Sequence, residues 1–433
     1  MGAIRALISS AILLAPAAGA AQGLSSVERR LVSAVDSLAP AAVDLLARAV
    51  NMNSGTMNFE GVRQVGALFR AEFDALGFTT RWVDGAAWNR AGHLIAEHRA
   101  GTGPHLLLIG HLDTVFEPDS PFQKYERISE DTATGPGTTD MKGGDVIMLL
   151  ALGALKEAGA LNTMSVTVVL TGDEERAGSP TALSRRDLIE AAEKADIAIG
   201  FEDGDGDPRT AVVARRGASG WSLKTRGKPA HSSLVFREDI GSGAIYEAAR
   251  ILAAFHDSLG GEDYLTFNPG VILGGTTVSF GPAESRGTAF GKSNVIAEST
   301  LVAGDLRALS LEQRENAKLA MQRIVSRHYP HTQAEITFSD GYPPLAPSEG
   351  NLELLAMFDR ASRDLGFGPV EPVDPARAGA ADVSFTAGYV DMAMDGVGLM
   401  GDGGHTVHET ADLRTLPIQA KRVAVLLWRL AHR

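Results

Sequence analysis

A run of ten residues from Leu106 to Val115, LLLIGHLDTV, constrains the fold more than any other stretch. It is too short for a helix and rich in branched side chains, which predicts a strand buried on both faces in a parallel sheet. The last residues of such a strand sit at the sheet's carboxyl edge, where open α/β folds bind ligands. His111 and Asp113 share one face if the chain stays extended. A buried imidazole with a carboxylate beside it suits a metal ligand and the group that fixes its tautomer. A plain strand end carrying a solvated His-Asp pair is the alternative.

The 433 residues allow about two to three domains' worth of core, and a composition 44% apolar and 21% charged is that of a globular chain. A formal charge of -13 argues against nucleic acid or an anionic membrane as the main partner and leaves small molecules and peptides. The chain has no cysteine. Disulfides and thiolate ligands are thereby excluded, so any metal must be held by His, Asp and Glu. Residues 1–21 carry Arg5, an apolar segment and then Ala18-Gly19-Ala20. They read as a secretory signal cleaved after Ala20 or Ala21, too short in its apolar part to span a bilayer, which places the mature protein in the periplasm or outside the cell.

Helices are expected over 28–50 and 59–76; in the second, Val62, Val65, Leu68, Phe69, Phe73 and Leu76 recur at helical spacing before Gly77. Strands near 79–83 and 93–97 precede the central one. The segment GPGTTDMKGG then leads into a helix through Met148 and Leu155. Ser165 to Thr171 reads as another buried strand, ending in Gly172-Asp173-Glu174-Glu175, and a third apolar run over 196–201 ends in Glu202. From about Gly217 the pattern changes to strands near 221–225, 276–280, 295–306 and 334–338 with helices over 240–258 and 311–327. These predict an α+β insertion of two helices on one antiparallel sheet. From Gly341 apolar strands and helices resume, ending in an amphipathic run over 418–430. The expected architecture is a mostly parallel α/β domain, 22–216 and 341–433, interrupted by a two-layer α+β domain over 217–340.

His111, Asp140, Glu175, Glu202 and His405 make an oxygen and nitrogen donor set suited to zinc, with cobalt or manganese as substitutes. Five ligands exceed what one tetrahedral ion needs, and a bridging carboxylate resolves the excess. Asp140, in its glycine-flanked loop, is the natural candidate. Two dications about 3.5 to 4 Å apart can activate a water and polarise a carbonyl, which points to amide hydrolysis. Neighbours in an extended segment point opposite ways, so one of Glu174 and Glu175 can ligate while the other faces the cleft. Glu174 is the expected general base, carrying a proton from the attacking water to the leaving amine. An acidic pair in a solvated loop is the blander reading, and only its place after a buried strand argues otherwise.

In order along the chain, GHLDTV, GPGTTDMKGG, TGDEERAGS, Glu202, GKPAHSS, the Asn294 and Arg307 segments and GGHTVHE resemble the co-catalytic zinc peptidases. That family includes glutamate carboxypeptidase, acetylornithine deacetylase, succinyl-diaminopimelate desuccinylase and the aminoacylases; the layout is most similar to exported glutamate carboxypeptidase. The resemblance implies that His111 and Glu202 hold one zinc, Glu175 and His405 the other, that Asp140 bridges, and that Asp140-Met141 is a cis peptide. It implies that Asp113 orients the His111 ring and that Glu174 is the base. It further implies that the inserted domain is a lid and dimerisation domain, that His231 reaches the partner subunit's active site in a homodimer, and that Arg307 binds the substrate carboxylate with help from Asn294. A histidine four residues before a glutamate belongs to the pattern; His405 and Glu409 satisfy it, and His408 is the competing neighbour. The relatives' glycine-rich substrate loop falls at Ala378 to Asp382, where Gly379 is the candidate contact and the flanking alanines narrow any close approach. Ser339 to Asn351 has no basic residue, against strict glutamate selectivity. DGDGD at Asp203 to Asp207 has Pro208 where a calcium loop needs its turn glycine and reads as a solvated turn.

The expected activity is an exopeptidase or amidohydrolase that releases an amino acid with a free carboxylate. The alternatives are a deacylase of N-acyl amino acids and, outside enzymes, a silent peptide-binding or assembly module. Glu174 argues against the last, since a module without activity has no use for a base beside five ligands.

Overall fold

The helix Ser26–Val50 starts where a capping box predicts: Ser25 Oγ accepts from the Glu28 amide at 3.2 Å and the Glu28 carboxylate accepts from the Ser25 amide at 2.6 Å. Asn58 caps the helix Phe59–Leu76, which ends at Gly77 with φ 93, a left-handed position that a side chain would strain. The computed structural model describes residues 23–100, 103–281 and 285–433, so the expected signal segment lies outside the described residues.

The central sheet has six strands in the order Thr79–Asp84, Gly92–Arg99, Ser165–Thr171, His105–His111, Ile197–Gly200 and Met392–Met394. The last four run parallel to one another, and Gly92–Arg99 pairs antiparallel with both of its neighbours. Strand alternation explains why Leu106 to Ile109 is apolar without interruption. Leu106 and Leu108 face a core built with the helices Ser26–Val50, Phe59–Leu76, Lys142–Glu157 and Thr415–Ala431. Leu107 and Ile109 face a second core with Leu188, Ala192 and Phe385. Both faces are covered, so neither can be polar.

The inserted segment forms a four-stranded antiparallel sheet in the order Thr266–Gly275, Ser299–Ala308, Gly217–Gly227 and Thr332–Tyr342. The helices Ala244–Leu259 and Leu311–Val325 cover one face, packing Ile251, Phe255 and Met321 onto Trp221, Leu223 and Val302. The strand expected near 276–280 does not join this sheet: Thr277–Gly281 pairs with Arg286–Phe290 as a separate ribbon. The fourth strand is Thr266–Gly275, which Pro269 and three glycines disguise. It lies at the edge, where a proline costs no ladder bond, and its register shifts between Pro269 and Val271. Among the described residues no helix is long and apolar enough to cross a membrane.

Candidate metal centre and active site

Three adjacent parallel strands end at one edge of the central sheet and deliver acidic or imidazole side chains there. His111 is the last residue of its strand, Glu174 and Glu175 follow the strand that ends at Thr171, and Glu202 follows the one that ends at Gly200. Asp140 stands before the helix Lys142–Glu157, and the Asp140-Met141 peptide is cis. His405 enters from a loop near the carboxyl end, at φ 62.

These residues form two groups that could hold a metal ion, His111 with Asp140 and Glu202, and Asp140 with Glu175 and His405. Asp140 belongs to both and offers one oxygen to each: Oδ1 lies 3.1 Å from His111 Nε2, and Oδ2 lies 2.8 Å from His405 Nε2. His111 Nε2 is also 3.6 Å from Glu202 Oε1, and His405 Nε2 is 3.1 Å from Glu175 Oε2. His408 is exposed and belongs to neither group.

The strand stops at His111, and a bend at Leu112, not strand alternation, brings Asp113 alongside the imidazole. His111 Nδ1 lies 3.1 Å from the Asp113 carbonyl and 3.5 Å from its Oδ1. The buried Asp113 carboxylate also accepts from the Glu174 amide at 3.0 Å, the Glu175 amide at 3.2 Å and Thr56 Oγ1 at 2.6 Å. Asp113 thus meets the histidine ring through its carbonyl and, through its carboxylate, holds the peptide of the acidic pair. Burial raises the Asp113 carboxyl, but His111, Thr56 and the Glu174 amide outweigh it and hold the pKa below the ordinary value.

Burial pushes the Glu174 and Glu202 carboxyls well above the usual range, with neighbouring carboxylates adding to the effect. Burial and then Asp140 raise Glu175 to about 7. The imidazoles answer this crowding of negative charge. Hydrogen bonds to Asp140 and Glu175 push His405 up to about 11. Burial works against protonation of His111, yet Glu202, Asp113 and Asp140 overcome it and raise the imidazole well above its ordinary value. Oε1 of Glu175 is buried with no hydrogen-bond partner. An acidic cluster of oxygen and nitrogen donors, balanced only by two imidazoles and with one oxygen orphaned, fits divalent cations.

Residues to which the sequence assigns no ligand or base role hold this edge together. Glu409, fully buried, accepts from the amides of Gly137 at 3.1 Å and Thr139 at 2.8 Å and from Thr138 Oγ1 at 3.2 Å, clamping the loop that carries Asp140. Asp395 accepts from the Glu202 amide at 3.1 Å and pairs with Arg215 at 2.9 Å. Arg185, fully buried, binds Asp173 and Asp382 at 2.6 Å each. Removing one partner of such a pair costs about 3–5 kcal/mol, because it strands a buried charge. Glu409 is marked in the sequence only by its spacing from His405. Arg185, Asp382 and Asp395 give no signal, since their ion-pair partners lie 180 or more residues away, apart from Asp173, twelve away.

The remaining expected residues are not among the candidate ligands. His231 is exposed, and its Nδ1 lies 2.8 Å from Ser233 Oγ. Asn294 is exposed, with its carbonyl accepting from the Ser232 amide at 2.9 Å. Arg307 is half-buried, and its Nε lies 3.1 Å from Asp305 Oδ2. Gly379 has open space around its Cα, and its carbonyl accepts from Arg215 Nη1 at 2.8 Å. Neither metal-binding group includes any of these four. The DGDGD turn is braced by arginines: Asp205 pairs with Arg377 at 3.0 Å and Asp207 with Arg209 at 2.6 Å.

An α/β fold with carboxylates and imidazoles gathered at the sheet's carboxyl edge has the makings of a metal-dependent enzyme. The sequence matches the model of Peptidase family M20/M25/M40 over residues 107–429, and the chain belongs to that family. It is therefore a metallopeptidase, and the silent-module alternative falls away. Among curated relatives it is 26% identical over 395 residues to carboxypeptidase G2 of Pseudomonas sp. (strain RS-16), covering 90% of this chain and 89% of that one. The fold is similar to aminopeptidase PepT of Bacillus cereus, with a TM-score of 0.69 and 20% identity over 91% of this chain and 99% of that one. It is also similar to the YXEP protein of Bacillus subtilis, described as a dinuclear metal-binding peptidase of the M20 family, with a TM-score of 0.61 and 14% identity over 92% and 99%.

Proposed function

We propose that the protein is an exported dinuclear zinc exopeptidase or amidohydrolase, which cleaves an amide and releases an amino acid with a free carboxylate from a peptide or N-acyl group. The observation that carries this reading is the pair of donor groups hinged on Asp140, with Glu174 next to Glu175 and outside both groups. His111 and Glu202 would hold one ion, Glu175 and His405 the other, and Asp140 would bridge. Bound zinc, or cobalt or manganese in its place, would polarise the scissile carbonyl and make the attacking water more acidic.

Glu174 takes the proton from that water and hands it to the leaving amine. Asp113 orients the His111 ring. Residues 22–216 and 341–433 form the catalytic domain in this reading, and 217–340 the lid and dimerisation domain. His231 is assigned to the partner subunit's site in a homodimer, where it stabilises the tetrahedral oxyanion; its exposure and its absence from both metal-binding groups of its own chain support this. Arg307 binds the substrate carboxylate, Asn294 adds a hydrogen bond, and Gly379 lines the substrate loop. The composition of residues 1–21 supports export to the periplasm or beyond.

Turnover of dipeptides compared with N-acetyl and N-benzoyl amino acids, together with metal analysis, tests the reading. Two zinc ions per chain and release of a free amino acid are expected, with activity lost to a chelator and restored by zinc. Faster cleavage of acyl amino acids than of dipeptides would move the assignment to a deacylase. A chelated enzyme that keeps full activity would end it.

A further inference from the structure

We propose that Tyr342 is a positioning residue for Glu174, through which the last strand of the inserted sheet holds the general-base loop in place. This role rests on the assignment of Glu174 as the base.

The strand Thr332–Tyr342 alternates against Gly217–Gly227, so that Phe338 pairs with Trp221 and Asp340 with Ser219. Those positions lie on the face the helices cover: Trp221 packs against Phe255, and Asp340 accepts from Lys318 of the helix Leu311–Val325 at 2.6 Å. Strict alternation would put Tyr342 on that face too. A register shift between Asp340 and Tyr342 inserts one extra residue, and Tyr342 pairs with Ala218 on the opposite face. Gly341 makes the shift possible, because a Cβ there would stand 2.6 Å from the Ala218 carbonyl oxygen.

Turned this way, the Tyr342 hydroxyl donates to the Glu174 carbonyl at 2.8 Å and accepts from Arg185 Nη2 at 2.6 Å. Arg185 Nη2 also donates to the Asp173 carbonyl at 3.0 Å, while Nη1 and Nε bind the carboxylates of Asp173 and Asp382. Asp382 accepts from Thr171 Oγ1 at 2.6 Å, which ties the network back to the strand that leads into the loop. The Glu174 backbone is therefore gripped twice, its amide by Asp113 and its carbonyl by Tyr342. Burial pushes the phenol well above its ordinary pKa, and it stays protonated as a donor. The ring packs on Phe385 at 5.1 Å between centroids and under the Arg185 guanidinium, contacts that do not need the hydroxyl.

That separation makes Tyr342→Phe the test, since it removes one hydroxyl and leaves the packing. On the dipeptide or acyl amino acid that the wild type cleaves fastest, kcat should fall about three- to tenfold. KM and bound zinc should stay at wild-type values, and the thermal midpoint should fall only by the few degrees that one lost buried hydrogen bond accounts for. An unchanged kcat would overturn the proposal, and so would a loss of zinc, or a partly unfolded enzyme at the assay temperature, that accounts for the whole loss of rate, which would make the hydroxyl merely structural. Glu174→Gln measured alongside separates the two claims. If it is inactive while Tyr342→Phe matches wild type, only the role of Tyr342 is wrong; if it keeps full turnover, the base assignment itself fails.

Discussion

The donors at the edge of the central sheet and the candidate groups on the inserted sheet are held in opposite ways. Asp140, Glu174, Glu175 and Glu202 stand in loops whose backbone is fixed by the buried carboxylates of Glu409, Asp113 and Asp395, contributed by distant parts of the chain. The side chains of His231 and Arg307 bond to near neighbours, Ser233 and Asp305, each two residues away, and both are at least partly open to solvent. The first arrangement is fixed by the fold itself; the second ties its groups only to neighbours in sequence. Preorganised charge belongs where bonds change, and adaptable groups where substrates enter.

The sharpest break in this comparison comes at Glu174. Glu174→Gln keeps the shape and hydrogen-bonding reach of the side chain and removes its basicity. Turnover should drop by about 10²–10⁴ with both metals retained, read by steady-state kinetics and metal analysis. If the rate survives, preorganisation of that loop serves something other than proton transfer. On the other side, His231→Ala should lower kcat by about 10²–10³ with metal content unchanged. A variant made monomeric should lose turnover in the same way if the histidine acts across subunits. Full activity in either would show that the inserted sheet stays out of the chemistry.

How far the two regions can be read from sequence follows the same division. The buried strands are legible because covering both faces of a sheet forces an unbroken apolar run, as at Leu106 to Ile109. Their polar ends point directly to His111, Glu175 and Glu202. In the inserted sheet the edge strand Thr266–Gly275 escapes such a reading, since an exposed edge tolerates Pro269 and glycines that would break a central strand. The bulge at Gly341 is equally hidden: one extra residue reverses the face of Tyr342 without altering the apolar pattern before it. The ion pairs of Arg185 and Arg215 are invisible for another reason, because a buried arginine and a surface one look the same until the fold brings their carboxylates to them.

A milder change probes the rigid side from behind. Glu409→Gln leaves the donors at Gly137, Thr138 and Thr139 facing a neutral amide with one oxygen in place of a carboxylate with two. The Asp140 loop should loosen, and metal affinity should fall about ten- to hundredfold in competition with a chelator. Wild-type affinity would mean that the loop holds its shape without the clamp.

The smallest effect is expected at Arg307, the proposed contact for a substrate carboxylate. Its guanidinium pairs with Asp305, both side chains are partly exposed, and a solvent-facing pair of this kind contributes little to stability. The group is therefore free to exchange that partner for a substrate carboxylate, and losing it should leave the fold intact. Arg307→Lys keeps the charge but not the forked geometry that binds a carboxylate through two parallel bonds. KM for substrates with a free carboxylate should rise about tenfold while kcat changes little, and esters or amides of the same substrates should show no such difference. An equal loss on both kinds of substrate would place Arg307 in the structure of the sheet and not in recognition, and the free-carboxylate specificity would then have to come from another residue.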